Sequence, residues 1–294
     1  MRAKPDLDAA GIVWLTAFSA LMGFNQVLVK VMNGALQPVF NAGLRSLLAL
    51  GLLGVWIVLM RKTWRIAPSA RPWAILVGAF FAGEFICLFV ALDLTSVARA
   101  SVMFYTMPVW LTLMAHVAVP GERLSTTKVI GQALALAGVV WALFDRDTGS
   151  QGSVTGDLLA LGGAVGWAAI ALLTKVSPFA RETPEAQLGW QLVVSATILL
   201  PVCLLFGPLV RDFTPIYGVG VAVQTAIVAG AFLGWFGLMK IYPASSVASF
   251  AFLAPVFGVV SGWLILGEEI SVAVWGALIL VALGLILINR PARR

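Results

Sequence analysis

The chain has 294 residues, of which 61% are hydrophobic and only 11% charged, and its mean hydropathy is +0.99. A water-soluble domain has an apolar share nearer half, so this composition excludes one and indicates an integral membrane protein. The excess of 19 basic over 13 acidic residues is spread along the connections between apolar runs, a pattern that reports membrane topology and argues against nucleic acid as a partner.

A helix needs about 20 mostly apolar residues to cross the hydrocarbon core. Ten such runs follow one another at about 10–32, 36–60, 72–93, 98–118, 126–144, 156–176, 184–208, 215–239, 244–266 and 271–289. None alternates with a period of two, and lipid requires every backbone group to be paired internally, so helices are expected and a barrel is not. With an even number of spans, both termini lie on one face. Counting from a cytoplasmic N-terminus, that face carries Arg2, Lys4, Arg61, Lys62, Arg65, Arg71, Arg123, Lys128, Lys175, Arg181, Lys240, Arg290, Arg293 and Arg294. The other face carries only Lys30, Arg99, Arg146 and Arg211, with Arg45 inside a span. This bias places both ends in the cytoplasm. Asp6 and Asp8 precede a first run of full span length, so no cleavable signal peptide is expected.

In the first span, Phe24 offers a ring and Asn25 and Gln26 offer amides that hydrocarbon would not tolerate unpaired. Either a zwitterionic ligand or a neighbouring helix could satisfy them. Lys30 ends this span, as Lys175 ends the sixth, and snorkelling or a gate ion pair fits either. Arg45 is expected to pair with a carboxylate or a helix end. Glu84 lies midway along the third span, where a bare charge costs several kcal/mol and usually faces a cavity or a partner. It is a candidate substrate contact or proton-coupling group, the alternative being a carboxyl bonded to a neighbouring helix. Phe85, Tyr105, Trp167, Trp235 and Phe252 could stack on a flat substrate or hold a cation over their faces. Pro108 and Pro255, mid-span in the fourth and ninth spans, are candidate hinges, because each removes a backbone donor and can kink its helix. His116 is the only histidine, and Cys87 and Cys203 both fall inside spans, so neither a metal site nor a disulfide framework is expected. No nucleotide-binding loop or catalytic constellation is present, and no cofactor or enzymatic activity is expected.

The polar stretch Asp145 to Gly156 divides the chain into halves of five spans, 1–147 and 148–294, which repeat one another. Val97-Ala98-Arg99-Ala100-Ser101, Met107-Pro108-Val109 and Gly121-Glu122-Arg123-Leu124-Ser125 in the first correspond to Pro243-Ala244-Ser245-Ser246-Val247-Ala248-Ser249, Ala254-Pro255-Val256 and Gly267-Glu268-Glu269-Ile270-Ser271 in the second. An odd number of spans per half inverts the second half against the first, the arrangement of many secondary transporters. These paired segments, with Leu44-Arg45-Ser46, Gly23-Phe24 and Gly166-Trp167, resemble the EamA-type repeats of the drug/metabolite transporter superfamily. Gly83-Glu84-Phe85-Ile86-Cys87-Leu88 is most similar to the YddG-type exporters of aromatic and other neutral amino acids.

The resemblance implies an all-α bundle of ten transmembrane helices in two inverted repeats. It implies a central cavity lined by spans one, three, four, six, eight and nine, with the fifth and tenth peripheral. The expected function is export of small amphipathic metabolites, foremost aromatic or neutral amino acids, across a bacterial inner membrane by alternating access. Partners are then the small-molecule substrate and the lipid bilayer, with a monomer as the expected state. A drug or organic-cation exporter is the alternative within transport, and a lipid-handling membrane protein the alternative outside it.

Overall fold

A computed structural model describes residues 8–119, 124–145, 152–241, 250 and 253–288, excepting the side chains of 232 and 235–241. The helices are α1 (Ala9–Ala35), α2 (Pro38–Leu59), α3 (Arg71–Leu94), α4 (Val97–Phe104), α5 (Met107–Ala118), α6 (Thr126–Phe144), α7 (Val154–Val176), α8 (Pro184–Val202), α9 (Pro215–Ile241), α10 (Leu253–Leu266) and α11 (Val272–Ile288). With α4 and α5 taken as one crossing, seven helical stretches among the described residues are long and apolar enough to span a membrane, and three shorter apolar helices follow. The all-helical, two-repeat plan is as expected. The only extended pairing among the described residues is a single bridge between Leu36 and Val210.

Local chemistry sets the boundaries. Asp8, Gln37, Ser96, Ser125, Ser153 and Thr183 each accept a backbone N–H at a helix start, supplying partners that the first turn lacks. Proline stands in the first turn of α2, α3, α5 and α8, where its missing donor costs nothing.

The fourth span departs from the sequence expectation of one continuous helix kinked at Pro108. It is interrupted at Tyr105–Thr106, and Pro108 opens the second piece. Pro108 has no N–H to return to the Phe104 carbonyl four residues back, so the α-helical ladder cannot run through this point. Thr106 closes the gap locally: its N–H and its hydroxyl both donate to Met103 O, at 3.3 and 2.6 Å. Pro255 likewise lies in the first turn of α10. The preceding part of the ninth span, and Glu122 of the first Gly-Glu segment, lie outside the described residues.

α3 forms the centre, burying Phe81, Glu84, Phe85, Leu88 and Phe89 against α7 and α8. α6 and α11 pack chiefly on one another. There, a β-carbon on Gly131 would lie 2.7 Å from Gly284 O, and one on Gly284 2.5 Å from Gly131 O. Gly23 and Gly258 make a similar crossing of α1 and α10, with 2.5 Å from a Gly23 β-carbon to Gly258 N. Backbones meet because lipid supplies no hydrophobic drive between helices and close van der Waals contact must hold them. Away from these contacts, Val58, Leu59, Val117 and Phe144 are 71 to 87% exposed, as suits lipid-facing positions.

The span alternation defines two faces. The first carries the α2–α3 and α7–α8 connections. The second carries the α1–α2, α3–α4, α6–α7, α8–α9 and α10–α11 connections.

Candidate functional site

Glu84 sits near the middle of α3 and is 2% exposed. Its Oε2 has no hydrogen-bond partner among the described residues. Opposite it on α7, Gly166 lacks a side chain, and a β-carbon there would come within 3.2 Å of Glu84 Cβ. This lets α3 and α7 approach and leaves the carboxyl beside the α4–α5 break. Tyr105, at the break and buried, lies close enough to feel the charge of Glu84. Phe104 makes edge contacts with Tyr105 at 5.5 Å and with Trp167 at 6.4 Å between ring centroids. The structure thus brings together Glu84, Tyr105 and Trp167, with Phe104, which the sequence did not single out, as the link between the two rings. An unsatisfied carboxyl oxygen in a water-poor interior calls for a donor, and the surrounding rings suit a flat or cationic group.

The other expected residues divide. Phe85 belongs to a ring stack: Phe81, Phe85 and Phe89 follow at 4.2 and 5.7 Å, and the Arg45 guanidinium lies 4.3 and 4.4 Å from the Phe85 and Phe89 centroids. Arg45 is 2% exposed and close enough to Glu84 for their charges to interact, but makes no direct ion pair with it. Gln26 accepts a short hydrogen bond from the Ser101 hydroxyl, while its amide nitrogen has no partner among the described residues. Asn25 Oδ1 is also buried without a partner among the described residues. Phe24 remains 36% exposed on α1. The Trp235 side chain and the whole of Phe252 lie outside the described residues.

At the second face, a polar network ties the halves together. Glu268, before α11, is buried and accepts from Val97 N at 2.7 Å and Ala98 N at 3.0 Å, so a carboxylate of the second half caps α4 of the first. A negative group at a helix N-terminus also gains from the helix dipole. Arg99, counted from the sequence among the charges of this face, is 2% exposed. Its Nε donates to both Asp157 oxygens at 3.2 and 3.0 Å, and its Nη2 to Asp157 and to Ala142 O at 2.8 Å. Asp145 stands 3.7 Å away, and the Thr95 hydroxyl donates to Asp157 at 3.0 Å.

Lys30 donates to Leu92 O at 3.0 Å and Thr95 O at 2.7 Å, closing the end of α3, and pairs with no carboxylate among the described residues. Arg211 holds Asp93 through two bonds of 2.8 and 3.0 Å, which raise its guanidinium above its ordinary range. An amide relay from Gln224 to Asn41 at 2.6 Å, Asn41 to Asn33 at 3.2 Å and Asn33 to Phe89 O at 2.8 Å joins α9, α2, α1 and α3. The sequence signal for these partners is a polar residue inside or at the edge of an apolar run, which does not say which other residue it meets.

The profile of the EamA-like transporter family matches residues 9–144 and again 154–290, so both halves carry the same repeat. The chain belongs to the EamA-like transporter family. As an EamA-type transporter it is a multi-pass membrane protein. It is 28% identical over 293 residues to the uncharacterized transporter YvbV of Bacillus subtilis, covering 95% of this chain and 92% of that one. It is 26% identical to a probable amino-acid metabolite efflux pump of Salmonella typhimurium, and 25% to one of Escherichia coli, each match covering 90% of this chain and 89% of the relative. A protein of known crystal structure aligns with a TM-score of 0.65 and 26% identity, over 93% of this chain and 94% of that one.

Proposed function

We propose that this EamA-type transporter exports neutral amino acids, aromatic ones foremost, from the cytoplasm across a bacterial inner membrane. The observation that carries the reading is the unpartnered Glu84 carboxyl oxygen beside Tyr105 and Trp167 in the bundle centre. A substrate ammonium supplies the missing donor, and the rings receive an apolar or aromatic side chain. Spare amide groups on Asn25 and Gln26 suit the α-carboxylate end without placing a second full charge in the site. Similarity to the probable amino-acid metabolite efflux pumps of Salmonella typhimurium and Escherichia coli supports the same substrate class.

Movement follows from the duplication. The halves 1–147 and 148–294 are taken as the two bodies that rock around the site, with the breaks near Pro108 and Pro255 as hinges. The first face is taken as cytoplasmic on the positive-inside bias. The network of Glu268, Arg99 and Asp157 then closes the outer face, and substrate leaves when it opens.

Uptake of labelled tryptophan, phenylalanine, methionine, threonine, glutamate and an aromatic cation into proteoliposomes tests the reading. Saturable movement of the neutral amino acids, lost in Trp167→Ala and Tyr105→Ala, is expected. Movement of the aromatic cation alone, lost in Glu84→Gln, would replace the proposal with a cation exporter, which the same unpartnered carboxyl would serve.

A further inference from the structure

On the first face, between the α2–α3 connection and α8, lies a groove of about 690 Å³. Trp64, Arg65, Ile66, Arg71, Gly189 and Trp190 line it. Gly189 is buried, and a β-carbon there would lie 3.6 Å from the Trp64 ring. The Trp190 indole donates to Trp64 O at 3.2 Å and fixes the two tryptophans relative to one another. Trp64 is 47% exposed, and Arg65 and Arg71 are both exposed.

The charge around the groove is one-sided. Arg61, Lys62, Arg65 and Arg181 stand on the α2–α3 and α7–α8 connections and Arg71 at the start of α3, against Glu182 and, in the first turn of α8, Glu185. Glu185 is engaged by Lys62 at 3.7 Å, and Glu182 accepts the Ala67 N–H at 3.0 Å. No acid lines the groove itself, and neither the Arg65 nor the Arg71 guanidinium has a hydrogen-bond or ion-pair partner among the described residues.

We infer that this groove binds one anionic phospholipid, its phosphate held by Arg65 and Arg71 and its upper acyl chain laid along Trp64, Trp190 and Val193. Guanidinium groups match phosphate oxygens in a two-point geometry. Tryptophan settles at headgroup depth, where one side of the ring is wet and the other apolar. Basic pockets between membrane helices favour acidic headgroups for these reasons. A soluble anion would gain nothing from the indoles and Val193. A zwitterionic lipid would bring an ammonium to a rim that offers it no free carboxylate. The site lies apart from Glu84, and its lipid is a resident ligand, not cargo.

Native mass spectrometry of the delipidated full chain, given equal amounts of phosphatidylglycerol and phosphatidylcholine, tests this. One phosphatidylglycerol should be retained preferentially. An arginine near an anionic headgroup is worth about a fivefold change, so Arg65→Gln/Arg71→Gln should lower the preference by roughly 25-fold. Both side chains are exposed, and an unchanged thermal melt would show that this variant folds. Phosphatidylglycerol with brominated acyl chains should quench tryptophan fluorescence, with the quenched component missing in Trp64→Phe/Trp190→Phe. Retained preference in the double-arginine variant, equal quenching by brominated phosphatidylcholine, or displacement by millimolar glycerol phosphate would each overturn the inference. None of these readouts depends on the transported substrate, so failure here is separable from failure of the transport reading.

Discussion

At the residue scale, the chemistry concentrates on a few buried charges that differ in how well they are satisfied. Arg99 has Asp157, Ala142 O and Asp145 around it, whereas Glu84 keeps an unpartnered oxygen. A satisfied buried pair holds structure, and removing one partner strands the other, at about 3–5 kcal/mol. Arg99→Gln should therefore lower stability by about that amount, read as a fall in melting temperature in detergent, with Asp157→Asn nearly as harmful. The double variant should be less damaging than the sum of the two, since neither charge is then left alone. Glu84→Gln should do the reverse, leaving the melt nearly unchanged while weakening transport. Loss of a charge-assisted hydrogen bond to a substrate ammonium costs about 1.5–3 kcal/mol, so kcat/KM for a neutral amino acid should drop by roughly ten- to a hundredfold. A normal rate in Glu84→Gln proteoliposomes would remove this residue from the site.

At the scale of elements, close crossings and helix ends decide how the spans meet. Gly23→Ala would drive a methyl to within 2.5 Å of the Gly258 backbone, which no side-chain rotation can relieve. A loss of about 1–3 kcal/mol is expected. Gly51→Ala is the control. It also lies in a helix, but its β-carbon would meet nothing within 4 Å, so its melt should hold or rise. Glu268→Gln keeps the shape of the α4 cap but removes the charge facing the helix N-terminus. It should destabilise by about 0.3–2 kcal/mol, checked by the same melts. The break at Tyr105–Thr106 leaves buried Tyr105 near enough to Glu84 to feel its charge.

Across the whole molecule, the second face is held by contacts that cross between the halves: Glu268 to α4, Arg99 to Asp157, and Arg211 to Asp93. If the halves rock, these contacts must break together. In a Cys87→Ser/Cys203→Ser background, Tyr105→Cys should be shielded from a membrane-impermeant thiol reagent applied at the second face. Adding Arg99→Gln should raise its labelling rate several-fold. Unchanged labelling would show that this network is structural and does not gate the site.

The membrane setting, the ten apolar runs, the duplication and its inversion are legible in the chain alone, because hydropathy, span parity and repeated motifs are local or additive properties. The sequence also singled out Glu84, since an acid amid apolar residues is conspicuous without knowledge of its neighbours. That Phe85 lies under Arg45, that Tyr105 comes near Glu84 and that Phe104 joins Tyr105 to Trp167 emerges only from the packed bundle. Likewise, the packing makes Arg99, a charge of the second face by sequence, a buried clasp on Asp157, and makes Glu268, a repeat marker, a helix cap. The reason is physical. In an apolar span a polar side chain must find a partner, but its sequence states only the need. Which partner answers depends on how distant helices cross, and that is set by the packing of glycines and rings from both halves at once.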